Sequence, residues 1–161
     1  MGVSGSGKTT ISRLLADALG WTFIDADDFH SSSNVEKMRR GIPLTEDDRK
    51  PRLDALIARL NGAPDTRIVL ACSALTHAIR QRFREETSSE VVFVYLAVNA
   101  AQLRKRLIER KGHYAKVDLL ESQLATLEEP HDAIVVHADG TVEETCQQAR
   151  EKLARHRWSA S

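Results

Sequence analysis

Only two cysteines occur in the chain, Cys72 in an apolar run and Cys146 in a helical pattern. Two such residues make no disulfide framework, and both are expected as reduced thiols. They stand in no Cys/His spacing that would hold zinc. A charge excess is missing as well, because 23 Lys and Arg face 23 Asp and Glu. A protein that coats nucleic acid carries a basic surplus to neutralise phosphates, so no nucleic-acid partner is expected. No apolar run approaches the length of a membrane span, and no membrane partner is expected. The first residues show no basic segment followed by an apolar one, so no secretory signal is read and a cytoplasmic protein is expected. Gly2 permits a myristoylation reading, but a glycine-rich loop explains more of its neighbours. Repeats and low-complexity stretches are absent too, and 161 residues of ordinary hydrophobic content suit one domain, residues 1–161.

What is present is an alternation. Short apolar runs at Trp21 to Ile24, Arg67 to Cys72, Val91 to Val98 and Ala133 to His137 are nearly continuous rather than alternating. Such runs suit strands covered on both faces. Between them lie helical patterns near 8–19, 32–40, 46–61, 76–87, 99–110, 117–127 and 141–156. The rhythm predicts an α/β fold, a parallel sheet flanked by helices. In such folds ligands bind beyond the carboxyl ends of the strands.

Gly2-Val3-Ser4-Gly5-Ser6-Gly7-Lys8-Thr9 fits the phosphate-loop pattern G-x-x-x-x-G-K-[ST] at every fixed position. Glycines let successive N–H groups converge on phosphate oxygens, and the helix that follows adds the positive end of its dipole. ATP is the expected ligand, bound by Gly2, Ser4, Gly5, Ser6, Gly7, Lys8, Thr9 and Thr10. Lys8 would reach the β- and γ-phosphates, and the Thr9 hydroxyl would sit on Mg²⁺. A phosphate loop normally follows a buried central strand, whereas here Met1 abuts it. Without that strand its neighbours would expose unpaired backbone groups in mid-sheet. The expectation is that the true start lies upstream, the alternative being a poorly stable truncation.

After the second apolar run comes Asp25-Ala26-Asp27-Asp28-Phe29-His30. Two apart in extended backbone, Asp25 and Asp27 would project to the same side. Asp25 is a candidate for the Mg²⁺ site, and Asp27 a candidate base for an attacking hydroxyl. The bland reading is an acidic turn capping the next helix. Arg106 and Arg110, four apart on a helical stretch, precede Lys111-Gly112-His113-Tyr114, where glycine breaks the helix. They are candidates to close over the nucleotide, with Arg110 neutralising the transferring phosphoryl group. A solvated basic face is the alternative. His77, His137 and His156 are expected at the surface.

These pieces resemble the gluconate kinases. The resemblance spans nearly the whole chain: the phosphate loop, Asp25-Ala26-Asp27, then His30, Asn34, Glu36, Lys37 and Met38. It runs on through Gly41-Ile42-Pro43-Leu44, Asp47-Asp48-Arg49-Lys50-Pro51 and Cys72-Ser73-Ala74-Leu75. Arg106, Arg110 to Tyr114, Ser122-Gln123 and Leu127-Glu128-Glu129-Pro130 complete it. It implies a P-loop kinase fold with a five-stranded parallel sheet (the first strand missing here), a substrate-binding helical segment at about 28–61, and a mobile lid at about 106–127. It implies transfer of the ATP γ-phosphoryl to the 6-hydroxyl of D-gluconate, Mg²⁺, and a possible homodimer. Asp27, His30, Lys37, Arg49 and Ser73 are the expected gluconate contacts, Arg49 for the carboxylate because a guanidinium binds it with two parallel bonds, and a surface helix position is the alternative for Lys37. The chain departs from the family at Thr76 and Ile79, where lysine and then tyrosine are usual, and at Arg52, where tryptophan is common. Those departures bear on which sugar acid is used more than on the reaction. A shikimate kinase and a non-catalytic nucleotide binder are the rival readings.

Overall fold

The computed structural model describes residues 1–40, 42, 44–63, 67–109 and 114–158. Helices α1 (Lys8–Leu19), α2 (Ser32–Arg39), α3 (Glu46–Asn61), α4 (His77–Glu86), α5 (Ala100–Glu109), α6 (Tyr114–Thr126) and α7 (Val142–Ala154) alternate with strands β1 (Thr22–Asp25), β2 (Ile68–Ala71), β3 (Val94–Ala97) and β4 (Ile134–His137). Local chemistry sets most of these limits. Helix α1 stops at Gly20, whose left-handed backbone turns its N–H back onto Ala16 and Asp17. Helices α3 and α7 each begin with a capping box, Thr45 with Asp48 and Thr141 with Glu144. The Thr76 hydroxyl caps α4 by accepting from the Ile79 N–H, so the departure at Thr76 has a structural use.

The strands form two parallel pairs. β1 and β2 run in register from Thr22 opposite Ile68 to Asp25 opposite Ala71. β3 and β4 do so from Val94 opposite Ile134 to Ala97 opposite His137. Among the described residues no ladder joins β2 to β3. Between them lies a cavity of about 940 Å³, lined on its two sides by residues that include Leu70 and Cys72, and Phe93 and Leu96. Met1 and Gly2 cross its end. The Met1 carbonyl accepts from the Leu96 N–H at 3.0 Å, and the Gly2 N–H donates to the Ser73 carbonyl at 3.2 Å. The Met1 amino group donates to the Val94 carbonyl, so Met1 takes one parallel-ladder place beside β3. The residues that lead into the phosphate loop thus lie across the opening between β2 and β3.

Three apolar clusters hold the layers together. Ile11 of α1 and Ala149 of α7 pack with Leu96 and Val136 on one side of the strands. Leu53, Leu56 and Ile57 of α3 pack with Ala26, Phe83 and Phe93 on another. The third cluster joins Val3 of the phosphate loop to Leu75, Leu103, Leu107 and Leu120, which seats the loop on α5 and α6. Fully burying a leucine is worth about 1.5–3 kcal/mol, so this seat is firm.

Three local expectations change. The run Val91 to Val98 pairs only at Val94–Ala97, because β4 offers four partners. The helix expected at 117–127 begins at Tyr114. His156 is half-buried rather than on the surface, its ring edge-on to Trp158 at 5.2 Å and its Nε2 3.6 Å from Glu90. His77 and His137 are exposed, and both cysteines are free thiols.

Candidate active site

The phosphate loop curls on backbone angles that only glycine adopts easily. Gly2 has φ +143°, and a Cβ there would lie 3.0 Å from Ser6 Oγ and 3.1 Å from the Leu96 carbonyl. Gly5 has φ +82° with Leu107 packed beneath it. Gly7 leads into α1 with no side-chain cap, and the first turn of that helix holds no acidic residue. The leading amides of a helix with no such partner favour an anion. Ser6 is buried, and among the described residues its hydroxyl oxygen has no partner. Thr10 is exposed on the first turn of α1.

Other bonds hold the loop in shape. The Lys8 ammonium donates to the Val3 carbonyl at 2.9 Å, and the Ser4 N–H donates to Gln123 Oε1 of α6 at 2.6 Å. Burial lowers the Lys8 pKa from its ordinary value, while the carboxylates of Asp27 and Asp25 pull it back up. The loop thus faces a lysine whose charge is costly by itself and is relieved by anions.

The Thr9 hydroxyl donates to Asp25 Oδ2 at 2.9 Å, which brings the two expected metal-site residues together. Asp25 and Asp27 are not placed by an extended strand. Asp25 ends β1, and residues Ala26–Phe29 form a 3₁₀ turn whose first N–H groups include that of Asp27, donated to Asp25 Oδ1 at 3.0 Å. The same-side argument from strand geometry therefore fails, and the capping reading of Asp25 holds beside its place at Thr9. The carboxylate of Asp27 ends 78% exposed, and its charge reaches Lys8.

Arg52 of α3 grips this turn, a contact that sequence reading did not assign. Its Nε donates to the Ala26 carbonyl at 2.9 Å and its NH2 to Asp27 Oδ1 at 3.2 Å. His30 is buried alongside, its side chain 3% exposed and its Nε2 3.7 Å from Asp27 Oδ1. Burial first, and the Arg52 charge second, lower its pKa, against the pull of Asp27. His30 is therefore neutral near pH 7, with Nδ1 buried and unpartnered.

Lys37 is committed to Asp48, at 2.7 and 2.8 Å from its two oxygens. Asn34, also buried, donates to the Asp48 carbonyl at 2.7 Å, so α2 is latched to α3 through one residue. Arg49 lies on α3 three residues before Arg52, hence on a neighbouring part of the same face. Ser73 follows β2, its carbonyl bonded to Gly2. The next residue, Ala74, has φ +44°, and the buried Arg80 spans the bend by donating from NH1 to the carbonyls of Ala74 and Leu75, each at 3.1 Å. Arg106 donates to the Ala138 carbonyl at 2.8 Å, tying α5 to the loop after β4. Arg110, Lys111, Gly112 and His113 lie outside the described residues.

A glycine-built anion loop, a lysine and threonine at its helical end, carboxylates opposite, and parallel strands behind define the class: a P-loop kinase of small molecules. A family profile described as an AAA domain matches residues 1–134. A gluconokinase of Gluconobacter oxydans is 41% identical over 161 residues, covering 97% of this chain and 88% of its own. A probable gluconokinase of Xenopus tropicalis is 44% identical over 146 residues, covering 81% and 77%. The crystal structure of a gluconokinase from Sinorhizobium meliloti superposes with a TM-score of 0.87 at 39% identity, over 96% of this chain and 89% of that one. The chain belongs to the gluconokinase family.

Proposed function

We propose that the protein transfers the γ-phosphoryl group of ATP to the 6-hydroxyl of D-gluconate, giving 6-phospho-D-gluconate. The observation that carries this is the Asp27 carboxylate, open to solvent, gripped on one side by Arg52 and near enough to the phosphate-loop lysine for its charge to raise that lysine's pKa.

The loop fits a nucleotide phosphate chain: positive-φ glycines, uncapped amides at the head of α1, and the orphaned Ser6 hydroxyl. Amides of Gly5, Gly7, Lys8, Thr9 and Thr10 hold phosphate oxygens, with Gly2 and Ser4 shaping the turn. Thr9 and Asp25 would hold Mg²⁺, which when bound supplies neutralisation of charge on the phosphate oxygens. Lys8 trades its carbonyl partner for phosphate oxygens, a better match for a buried ammonium. Asp27 accepts the proton of the attacking hydroxyl, which is too weak a nucleophile alone. Arg49 binds the gluconate carboxylate, and neutral His30 and Ser73 offer hydrogen bonds to its hydroxyls. Lys37 acts through Asp48 by holding the segment 28–61 together. Arg106 lies on the nucleotide side, where its charge would neutralise phosphate, and Arg110, expected to share that role, lies outside the described residues.

The test is a coupled ADP-release assay over gluconate, other sugar acids and shikimate, with Mg·ATP. Gluconate turns over best. Turnover of shikimate without gluconate overturns the assignment. Asp27→Asn is expected to lower kcat by about 10²-fold or more while ATP binding persists.

A further inference from the structure

Arg52 of α3 reaches the turn after β1 with two separate donors, one to a backbone carbonyl and one to a carboxylate. We propose that Arg52 is a positioning residue that fixes the Asp27 carboxylate relative to helix α3, so that base and acceptor-binding groups move as one unit. The inference rests on the reading of Asp27 as the base.

The geometry is two-pronged. A guanidinium is a planar fork, and here one edge holds a backbone carbonyl and the other a carboxylate oxygen of the next residue. The bond to Ala26 sets the place of the turn, and the bond to Asp27 sets the rotation of its side chain. Arg52 is 16% exposed against 78% for Asp27, so the arginine is the held partner and the carboxylate keeps a free face for a hydroxyl. Among the described residues, other contacts do not fix that rotation. The Asp25 bond goes to the Asp27 backbone N–H, and His30 stands at 3.7 Å, beyond hydrogen-bond reach. The helix that carries Arg52 also carries Arg49 and Asp48, and Asp48 holds Lys37. A shift of α3 would therefore displace acceptor and base together rather than apart. Misplacement of a catalytic group by about 1 Å costs on the order of 10²-fold in rate, which is the scale on which such a tie matters.

Arg52→Gln and Arg52→Lys are compared with Asp27→Asn by steady-state kinetics, thermal unfolding and NMR titration of His30. For Arg52→Gln, kcat with gluconate falls by about 10- to 100-fold. KM for ATP stays near wild type, the unfolding midpoint falls by no more than the few degrees that the lost Ala26 bond accounts for, and the His30 midpoint moves up because a neighbouring positive charge is gone. Arg52→Lys keeps the charge but cannot span both acceptors, so its kcat falls between the two and its His30 midpoint moves less. If Arg52→Gln keeps wild-type kcat while Asp27→Asn loses turnover, the positioning role is wrong and the base survives. If kcat, ATP affinity and thermal midpoint fall in parallel, Arg52 is a general structural residue and the proposal is overturned. If Asp27→Asn turns over normally, the base assignment fails first and takes this inference with it.

Discussion

Replacing Arg80 with methionine tests whether the loop that carries Ser73 is held by one buried guanidinium. Arg80 is 2% exposed, and its NH1 serves the carbonyls of Ala74 and Leu75 at 3.1 Å each, across a bend where Ala74 sits at φ +44°. Among the described residues its Nε has no partner, so deleting that atom loses no bond there. Methionine refills most of the stem volume, which leaves the two carbonyls as the chief loss. A hydrogen bond from a charged donor is worth about 1.5–3 kcal/mol net, and two are lost. Relief from burying the charge offsets part of this, for a net destabilisation of about 2–4 kcal/mol. In a domain of this size each kcal/mol moves the midpoint about 2–4 °C, so thermal unfolding followed by circular dichroism should drop by about 5–15 °C. Because the bend also places Ser73, KM for gluconate should rise more than KM for ATP. An unchanged midpoint would refute the reasoning, since the bend would then stand without its donor.

Two further outcomes follow from the site. Gly5→Ala puts a side chain at φ +82° with Leu107 3.4 Å away, a strain of about 1–2 kcal/mol. If the nucleotide-bound loop needs that conformation, KM for ATP rises about tenfold, as initial rates over an ATP series would show. Asp48 accepts from Lys37 and from the Thr45 N–H, which holds its pKa at about 2 against an ordinary 3.8. A lowered carboxyl contributes stability fully above its unfolded value and loses it as pH falls through the folded one. Wild type should therefore lose thermal stability between pH 4 and pH 2 more steeply than Asp48→Asn, and equal slopes would contradict this.

The phosphate loop and the four strands were legible because each follows from a local rule: fixed glycines, a lysine and threonine in one case, continuous apolar runs in the other. The turn after β1 was not. An Asp-x-Asp spacing suits an extended strand as well as a 3₁₀ turn, and only the bond from the Asp27 N–H to Asp25 decides between them. Lys37 read as a pocket residue because its partner Asp48 lies eleven positions on, across the angle between α2 and α3. Arg52 stood in a charged stretch where any residue could face water. Its departure from the family pattern was visible, and its grip on Asp27 was not, since 25 positions separate the two. Gln123 was visible as part of a family motif, but its bond to Ser4 depends on how α6 lies against the loop.

The bridge made by Met1 and Gly2 has a mechanical meaning. One of these residues is stitched to β3 and the other to Ser73, just beyond β2, and both lead straight into the anion loop. A phosphate chain tugging on that loop pulls on each half of the interrupted sheet at once. Nucleotide would thus act as a rivet, stiffening β2 and β3, between which no ladder runs among the described residues.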